Sequence, residues 1–523
     1  MIAARSMARP SVVLVADRTL SADYGTLFEA IFATMQTTEV PAWLMRGLLS
    51  RPAPVRPNGR AVVAPLGLRR VQAALLQAGL ANADVAVVTP ETLPRVLGPW
   101  VRIVGVSSSD PLGVGMSNST TVHFCRGALY TRVWMDRLMR RIRRAKRAYG
   151  FAVVAGGSGA WQYIRDADAA AAHGIDTIFE GYFEQTGPAL FGRLLAGDDP
   201  PPYVRADGAA LPVAPIRAAS TMGVVELSRG CGKGCGFCTA GRMSMRHVPA
   251  ETILNEMELN RAAGLRGVVN SSEDFFRYGG CGSRVNFDAL HALLDRARRI
   301  AGVRLFQLDH GNVSSVVQLT PDQLCEVRRL LRREGGAEYA WVNVGVESAS
   351  GRLVAANGPA KAAPFDADDW EAMVRQAAAR LDEAGFFGVF SFVLGLPGET
   401  PQDVQRTRRL VAELTRRPAA VFPVFYQPVR SDAGEPMTPR RMTAAHLALF
   451  AECYEANFRW VPRLFWDNQR AVGVTMPRRL LQQGLGRGEV LAWRSRIRRL
   501  GRRLVEPASA AGCAVATAPA QGS

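Results

Sequence analysis

Three cysteines stand close together in the segment RGCGKGCGFCTAGR, residues 229–242. Cys231, Cys235 and Cys238 have the spacing Cys-x3-Cys-x2-Cys, on a stretch that is otherwise mostly glycine. Thiolates are ligands for zinc, copper(I) and iron–sulfur clusters. A structural zinc site takes four ligands, usually as two separated pairs, and no second Cys-x-x-Cys pair lies nearby. Three thiolates on a [4Fe–4S] cluster leave one iron open to an exogenous ligand, so the segment predicts such a cluster.

The elements that position these cysteines repeat regularly. From residue 222 to residue 430, six strand-like runs alternate with five amphipathic helical stretches. This pattern predicts a parallel array, either open or curved into a partial (βα)6 TIM-type barrel. The cysteines follow the first strand directly, at the end of the strand where chemistry sits in such arrays.

The first two hundred residues predict a different α/β unit. The runs at 11–17, 101–110 and 151–159 are rich in valine and isoleucine, and each ends in a loop of serine, aspartate or glycine. Parallel strands buried on both faces have this composition. With a shorter strand at 177–179 and helices between, the segment predicts a doubly wound, Rossmann-like sheet.

Composition shifts divide the chain into five predicted parts. A proline-rich, aperiodic stretch separates the two α/β units, and amphipathic helices follow the second unit. The last residues are small and of low complexity, which is typical of disorder. The expected parts are a Rossmann-like domain at 1–200, a linker at 201–216, a (βα)6 domain at 217–430, a helical region at 431–505 and a disordered tail at 506–523.

The formal charge of +18 raises the question of nucleic-acid binding. Lysine occurs only at Lys146, Lys233 and Lys361, so nearly all of the positive charge is arginine, as GC-rich codon usage would give. The arginine clusters alternate with apolar residues at helical spacing and predict the solvated faces of amphipathic helices. Nucleic acid is therefore not the expected partner.

Nothing in the sequence indicates a membrane span or a secretory signal, because no apolar run of the necessary length is present. The other five cysteines are scattered and do not form a disulfide framework, which suits a reducing compartment. A cytoplasmic protein is the expectation.

The cysteine spacing, with Phe237 before the third cysteine, resembles the signature of the radical S-adenosylmethionine (SAM) superfamily. The segments NSSED (270–274), GVESAS (345–350) and LGLPGET (394–400) resemble strand-end motifs of that family in the expected order. The resemblance implies that Cys231, Cys235 and Cys238 hold the cluster and that SAM binds its open iron. It implies SAM contacts at Phe237, Ser272, Glu273, Glu347, Ser348 and Gly395. A helix N-cap with a first-turn acid is the alternative for Glu347 and Ser348.

The first unit resembles the cobalamin-binding domain of B12-dependent radical SAM enzymes, on the loops SSSDPLG (107–113), VVAGGSGAW (153–161) and IDTIFEGYFEQT (175–186). The resemblance implies that the corrin lies against Ser107, Ser108, Ser109, Gly156, Gly157 and Glu180. The Asp-x-His-x-x-Gly motif that supplies a histidine to cobalt in other B12 proteins is missing. A nucleotide-binding or scaffolding domain is the alternative.

Together the resemblances imply a cobalamin-dependent radical SAM methyltransferase with a [4Fe–4S] cluster, SAM and cobalamin as cofactors. SAM cleavage would give a 5′-deoxyadenosyl radical, and methylcobalamin would donate the methyl group to an unactivated carbon. The expected partners are a small-molecule or natural-product substrate and an electron donor such as flavodoxin or ferredoxin. Tyr426 and Arg430 are the predicted substrate contacts, with the C-terminal helices closing over the site. The alternatives are a B12-dependent cyclase, oxidase or rearrangement enzyme without methyl transfer, and an RNA-modifying radical SAM enzyme.

Overall fold

The computed structural model describes residues 9–206, 208, 211–430 and 434–505. The predicted tail at 506–523 lies outside the described residues. Short valine-rich runs form a first sheet of six parallel strands in the order β2-β1-β3-β4-β5-β6. These strands are β1 (Val12–Ala16), β2 (Val85–Val88), β3 (Ile103–Ser107), β4 (Ala152–Gly156), β5 (Thr177–Glu180) and β6 (Tyr203–Arg205).

Helices cover both faces of this sheet. Alternate residues of β1 enter two separate hydrophobic clusters, Val13 and Val15 in one and Val12 and Leu14 in the other. The helices of this part are α1 (Arg18–Ser21), α2 (Leu27–Thr34), α3 (Ala42–Leu44), α4 (Leu66–Gln77), α5 (Leu93–Val96), α6 (Met116–Phe124), α7 (Tyr130–Tyr149), α8 (Ala160–Arg165), α9 (Ala167–His173) and α10 (Phe183–Ala196).

Helix α7 is rich in arginine. Its apolar side contributes Leu138 and Ile142 to the hydrophobic cluster that contains Val13. Helices α4 and α10 contribute Leu68 and Phe191 to the hydrophobic cluster that contains Val12. The arginines of α7 lie on its opposite, exposed side, as the sequence predicts. The predicted doubly wound fold is confirmed.

Two strands of this sheet were not expected from the sequence. β2 is only four residues long, which is too short to show a period. β6 falls in the segment 201–216, which the sequence assigned to a linker because of its prolines. An edge strand needs only one paired side and tolerates proline beside it, so β6 extends the sheet here.

A second series of parallel strands begins with residue 224 and carries the cysteine loop. It forms two sheets, in the orders β11-β10-β7 and β12-β13-β14-β15, and a two-stranded antiparallel ladder of β8 and β9. These strands are β7 (Val224–Glu226), β8 (Ser228–Arg229), β9 (Arg246–His247), β10 (Gly267–Ser271), β11 (Leu305–Gln307), β12 (His310–Asn312), β13 (Ala340–Glu347), β14 (Phe386–Leu394) and β15 (Ala419–Phe425).

The predicted third strand of this array, at 304–310, is split. Its first half, β11, pairs with β10, and β12 pairs with β13, so the array passes from one sheet to the next at this point. Within the described residues no pairing joins β7 to β15, and the array is open rather than a closed barrel. The predicted α/β architecture of six strand positions is confirmed.

The helices of the second part follow the predicted segments closely. Three of them, α14, α17 and α18, begin with a complete capping box. The helices are α11 (Ala250–Ala262), α12 (Phe287–Arg298), α13 (Val313–Val316), α14 (Pro321–Leu331), α15 (Gly351–Asn357), α16 (Trp370–Glu383), α17 (Pro401–Leu414), α18 (Ala444–Ala471) and α19 (Met476–Val505).

Helix α18 covers the open edge of β15. The Asn457 side chain accepts a hydrogen bond from Val421 N and donates one to Val421 O, both at 2.7 Å, and so takes the place of a neighbouring strand. Helix α19 packs on α18, where Trp493 stacks on Tyr454 at 4.7 Å between ring centroids. Across the residues that the structure describes, no helix has the length and apolar character that a membrane crossing requires.

Candidate functional site

The cysteine loop begins where β8 ends, and the pairing of β8 with β9 closes its base. Inside the loop Cys231 N donates to Ala240 O at 3.2 Å and Gly234 N donates to Gly241 O at 2.8 Å. Cys231 and Cys235 are buried and Cys238 is half-buried. The backbone bonds hold the three thiols on one short, folded loop at the carboxyl end of the first strand.

Two glycines leave room around these thiols. Gly230 has a φ of 68°, and a Cβ on it would lie 2.5 Å from the Met243 carbonyl oxygen, so no other residue fits. A Cβ on Gly358 would lie 2.9 Å from the Cys235 Sγ. The chain therefore keeps space free beside the sulfur atoms.

Burial raises the pKa of all three thiols, and that of Cys238 to about 12. Binding of iron would deprotonate them, and the resulting negative charge would lie near two buried cations, Lys233 and Arg277. Arg277 also donates to the Cys231 carbonyl oxygen. In the described part of the chain, no three His, Cys, Asp or Glu side chains are grouped to hold a single metal ion. A cluster does not need that convergence, because each thiolate binds a different iron, so the residues present fit a [4Fe–4S] group.

The residues after β10 lie beside the cysteine loop. The Ser272 hydroxyl lies 2.5 Å from the Ser228 hydroxyl at the start of β8, and it accepts a hydrogen bond from Asp274 N. Burial raises the pKa of Glu273, whose side chain lines a large cavity. The predicted SAM contacts Ser272 and Glu273 are therefore next to the loop, and their roles stay predictions.

Glu347 and Ser348 are not helix caps. The N-cap of α15 is Ser350, whose hydroxyl accepts from Leu353 N. The Ser348 hydroxyl is buried, lies 3.2 Å from the Thr407 hydroxyl and accepts from Ser350 N. Glu347 is paired instead with Lys361, at 2.6 Å between Oε1 and Nζ. The alternative that Glu347 and Ser348 form the N-cap and first-turn acid of a helix is therefore wrong. Their contact with SAM stays a prediction.

Phe237 and Tyr426, assigned to different ligands, contact each other in the structure. Their ring centroids lie 6.3 Å apart in an edge-on arrangement, and both side chains are buried. Gly395 has a φ of 78° and packs against Met437, which lies 2.7 Å from the position of a Cβ. Gly395 therefore has a structural reason to be glycine, independent of any cofactor.

A cavity of about 1280 Å³ lies between the carboxyl ends of the first sheet and the cysteine-loop side of the second part. The second part contributes Glu226, Arg229, Ser271 and Glu273 to its lining, and Arg430 follows β15. All six residues that the sequence assigned to the corrin also line it: Ser107, Ser108, Ser109, Gly156, Gly157 and Glu180.

The strand order of the first sheet places its topological switch point between β1 and β3, and ligands of doubly wound folds bind at this point. Asp17 follows β1 and Ser108 follows β3, and the Ser108 hydroxyl donates to Asp17 Oδ2 at 3.0 Å across it. Beside them Gly157 has a φ of 96°, and a Cβ on it would lie 2.7 Å from the Ser107 hydroxyl. Glu180 accepts a hydrogen bond from Tyr203 of the edge strand β6.

The expected closure of this cavity by the C-terminal helices is wrong. Among the described residues, none from α18 or α19 lines it; Val429 and Arg430, which follow β15, do. The physical reason is the open edge of β15, whose unpaired backbone groups α18 covers instead.

Comparison with known families decides what the second part is. Residues 225–411 match the model of the radical SAM superfamily. The chain contains a radical SAM domain.

Two relatives are similar to part of the chain. The chain is 26% identical over 194 residues to "Ribosomal protein uS12 methylthiotransferase RimO" of Thermotoga sp. (strain RQ2). The matched segment covers 36% of the chain and 41% of the relative. It is 24% identical over 238 residues to "Threonylcarbamoyladenosine tRNA methylthiotransferase MtaB" of Treponema pallidum (strain Nichols), which covers 45% of each. The chain spans less than half the length of these relatives.

Two solved structures share the fold over most of the chain. Both are of TsrM from Kitasatospora setae, a radical S-adenosylmethionine methyltransferase. One, with cobalamin and a [4Fe–4S] cluster bound, has a TM-score of 0.51 and 14% identity and covers 85% of this chain and 81% of its own. The other, with tryptophan substrate and the SAM analogue aza-SAM bound, has a TM-score of 0.51 and 15% identity and covers 84% and 83%.

A histidine that the sequence analysis did not select lies in the radical SAM domain near Glu273. His310 Nδ1 is 2.9 Å from Asp309 Oδ1, and its Nε2 is 3.0 Å from the Asn343 amide. Burial alone would lower the pKa of His310, but the carboxylates of Asp309 and Glu273 raise it to about 9. The raised pKa favours a charged imidazole at neutral pH, and its charge acts on Glu273. The signal in the sequence was a polar Asp-His pair at the end of a predicted strand.

A buried arginine joins the radical SAM domain to the first sheet, and it too was missed. Arg229 Nε lies 2.8 Å from Glu226, its Nη2 lies 2.5 Å from Glu184 at the start of α10, and its guanidinium stacks on Tyr182 at 4.2 Å. It directly precedes the cysteine loop. This contact fixes the loop against the domain that forms the other wall of the cavity.

Proposed function

We propose that this protein is a cobalamin-dependent radical SAM enzyme that transfers a methyl group to an unactivated carbon of a small-molecule substrate. The observation that supports it is the single cavity that the corrin-side loops of the first sheet share with Glu273 beside the cysteine loop. A methyl donor at one wall and a radical source at the other would have to reach the same substrate, and one shared cavity allows this.

In this proposal each group has its own set of residues. Cys231, Cys235 and Cys238 hold the [4Fe–4S] cluster. The SAM contacts are Phe237, Ser272, Glu273, Glu347, Ser348 and Gly395, and the cobalamin contacts are Ser107, Ser108, Ser109, Gly156, Gly157 and Glu180. When bound, the cluster and SAM supply a carbon-centred radical, and cobalamin supplies the methyl group.

The chain's own residues bind and orient the cofactors and exclude water from the site. Glu273 offers a carboxylate for the amino group of SAM, and the charge of His310 favours its ionised form. Gly157 lets a planar ligand approach the backbone at the switch point, where Ser108 is held by Asp17. Arg229 holds the cysteine loop against α10, so the two walls of the cavity keep a fixed separation.

For the substrate we propose a small molecule that reaches the cavity beside Arg430, which lines it. Tyr426 is buried next to Phe237 and would act through that aromatic ring rather than on the substrate directly. One TsrM structure contains tryptophan, a small molecule of the class that we propose as substrate. A low-potential electron donor such as flavodoxin or ferredoxin would complete the system.

A second candidate is an RNA-modifying radical SAM enzyme, and the relative that is named as a tRNA methylthiotransferase favours it. The two methylthiotransferase relatives match the chain over less than half of their own length. The two candidates differ in their need for cobalamin and in their substrate.

The test uses the full chain, reconstituted anaerobically with iron, sulfide and hydroxocobalamin, then given SAM and dithionite. We expect bound corrin, and both 5′-deoxyadenosine and S-adenosylhomocysteine by mass spectrometry. The variant Cys231→Ala/Cys235→Ala/Cys238→Ala should lose the iron and both products but keep the corrin, whereas Cys325→Ala, at an exposed position on α14, should behave as the wild type.

Other outcomes would point elsewhere. If 5′-deoxyadenosine forms without S-adenosylhomocysteine while corrin stays bound, the enzyme is of the non-methylating type. If no corrin is retained and added tRNA is modified, the RNA-modifying candidate replaces the proposal.

A further inference from the structure

Two of the three lysines in the chain are buried beside the cysteine loop. The chain has 64 arginines and lysines in total, and only three of them are lysines. Lys233 and Lys361 are 1% and 7% exposed. Burial of a charged amine costs free energy unless a partner offsets it. Lys361 has such a partner in Glu347, at 2.6 Å between Nζ and Oε1, and both side chains are about nine-tenths buried.

Lys361 is a close neighbour of Cys235. Lys361 N donates to Gly358 O at 2.9 Å, and a Cβ on Gly358 would lie 2.9 Å from Cys235 Sγ and 3.5 Å from Lys361 Cβ. Burial alone would lower the pKa of Lys361, but the charges of Glu347 and Cys235 outweigh it and hold that pKa above its ordinary value. The ammonium group is therefore charged, close to the sulfur atoms and shielded from water.

The backbone at the end of β13 has an irregular conformation where this pair forms. Glu347 ends β13 with a φ of 64°, a left-handed conformation that costs a non-glycine residue about 1 kcal/mol or more. The ladder between β13 and β14 shifts register between Gly345 and Glu347. A Cβ on Gly345 would lie 2.6 Å from Glu347 Oε1 and 2.8 Å from Lys361 Nζ. A strained residue and a glycine that leaves room for both charged groups therefore serve one buried ion pair.

We propose that the Lys361–Glu347 pair keeps the charge beside the cluster balanced, so that loss of either residue shifts the reduction potential of the cluster and loss of both does not. The inference rests on the proposed function only in requiring that cluster. Reduction adds one electron, so a nearby positive charge favours the reduced cluster and a negative charge opposes it, strongly so where water is excluded. In the pair the positive charge of Lys361 and the negative charge of Glu347 nearly cancel. When one residue is removed, the charge of the other acts on the cluster alone.

The test measures potential rather than activity. The variants Lys361→Met, Glu347→Gln and the double variant are reconstituted anaerobically and titrated with dithionite, with the reduced cluster quantified by electron paramagnetic resonance. At the wild-type midpoint potential we expect a several-fold lower ratio of reduced to oxidised cluster in Lys361→Met and a several-fold higher ratio in Glu347→Gln. The double variant should return toward the wild type. The control is Lys146→Met, which removes a lysine paired with Asp176 in the first sheet and should change nothing.

If all variants have equal iron content and the same ratio of reduced to oxidised cluster, the inference is overturned. Shifts of the same sign in both single variants would also overturn it, because they would indicate that the structure around the cluster has loosened in general. If Lys361→Met does not fold, Glu347→Gln still decides, because it leaves Lys361 facing the cluster. A wild-type chain that takes up no iron would overturn the proposed function, and the iron analysis shows this before any variant is compared.

Discussion

Arg70 on α4 and Glu256 on α11 form a buried ion pair across the boundary between the two α/β parts. Arg70 Nη2 donates to Glu256 Oε2 at 2.9 Å, and Arg70 Nε donates to Glu226 at 3.1 Å. The side chains of Arg70 and Glu256 are 5% and 1% exposed. The carboxylate also accepts a hydrogen bond from Ile216 N, so it fixes the connection between the parts as well.

Replacement of this carboxylate should destabilise the protein strongly. Glu256→Gln leaves the Arg70 guanidinium buried with one partner fewer, and loss of one member of a buried pair costs about 3 kcal/mol or more. The free energy of unfolding, measured by urea denaturation, should fall by that amount. The matched control is Glu251→Gln on the same helix, where the pair with Arg296 is exposed and contributes about 0.5 kcal/mol or less. Equal losses in the two variants would contradict the assignment.

Gly157→Ala should abolish cobalamin retention. The new Cβ would lie 2.7 Å from the Ser107 hydroxyl and 2.8 Å from the Ser108 carbonyl oxygen, so the loop at the switch point must move. Gly150→Ala is the control, because Gly150 has a similar positive φ of 72° but no atom within 4 Å of its Cβ position. Both variants should lose about 1 kcal/mol of stability from backbone strain, and only Gly157→Ala should release the corrin on gel filtration. Corrin retained by both would remove the loop from the site.

His310→Gln should weaken SAM binding in a pH-dependent way. Burial raises the pKa of Glu273, and the charged His310 opposes that rise. Without it, more of Glu273 is protonated at neutral pH and less can bind the amino group of SAM. We expect a several-fold higher Kd at pH 7 by calorimetry on the reconstituted protein. The difference should shrink as the pH rises, because a higher pH favours the ionised form of Glu273 in both proteins; a difference that grows with pH would contradict this role.

Glu489 on α19 should make the stability of the helical region fall as the pH rises. Burial raises its pKa to about 7 from 4.5, and the Gln36 side chain offsets this only in part. The folded state therefore holds a proton that the unfolded state has lost between pH 4.5 and 7, so unfolding becomes easier across that range. Glu489→Gln removes the effect and should be more stable than the wild type at pH 8 by up to about 3 kcal/mol. Thermal unfolding at pH 4 and pH 8 measures both values; parallel pH curves would contradict the prediction.

The sequence predicted most of the elements because local pattern determines them. The helices at 250–262, 287–298 and 401–414 follow from apolar spacing and capping residues, and the long strands follow from valine-rich runs. Short elements such as β2 and β6 were missed, since three or four residues carry no period. Helix α18 continues through Pro462, which removes one backbone donor without ending the helix.

What the sequence alone determined is the chemistry along the chain: three thiols at a fixed spacing, an acid after the second strand of the array, and loops of serine and glycine after the strands of the first sheet. These depend on neighbours within a few residues. Only the tertiary structure decided that one cavity joins the first sheet's loops to Glu273, that His310 bonds to Asn343 of the next strand, and that Lys361 pairs with Glu347 beside Cys235. The partners in these contacts come from different strands and helices, and only the packing of the sheets brings them together.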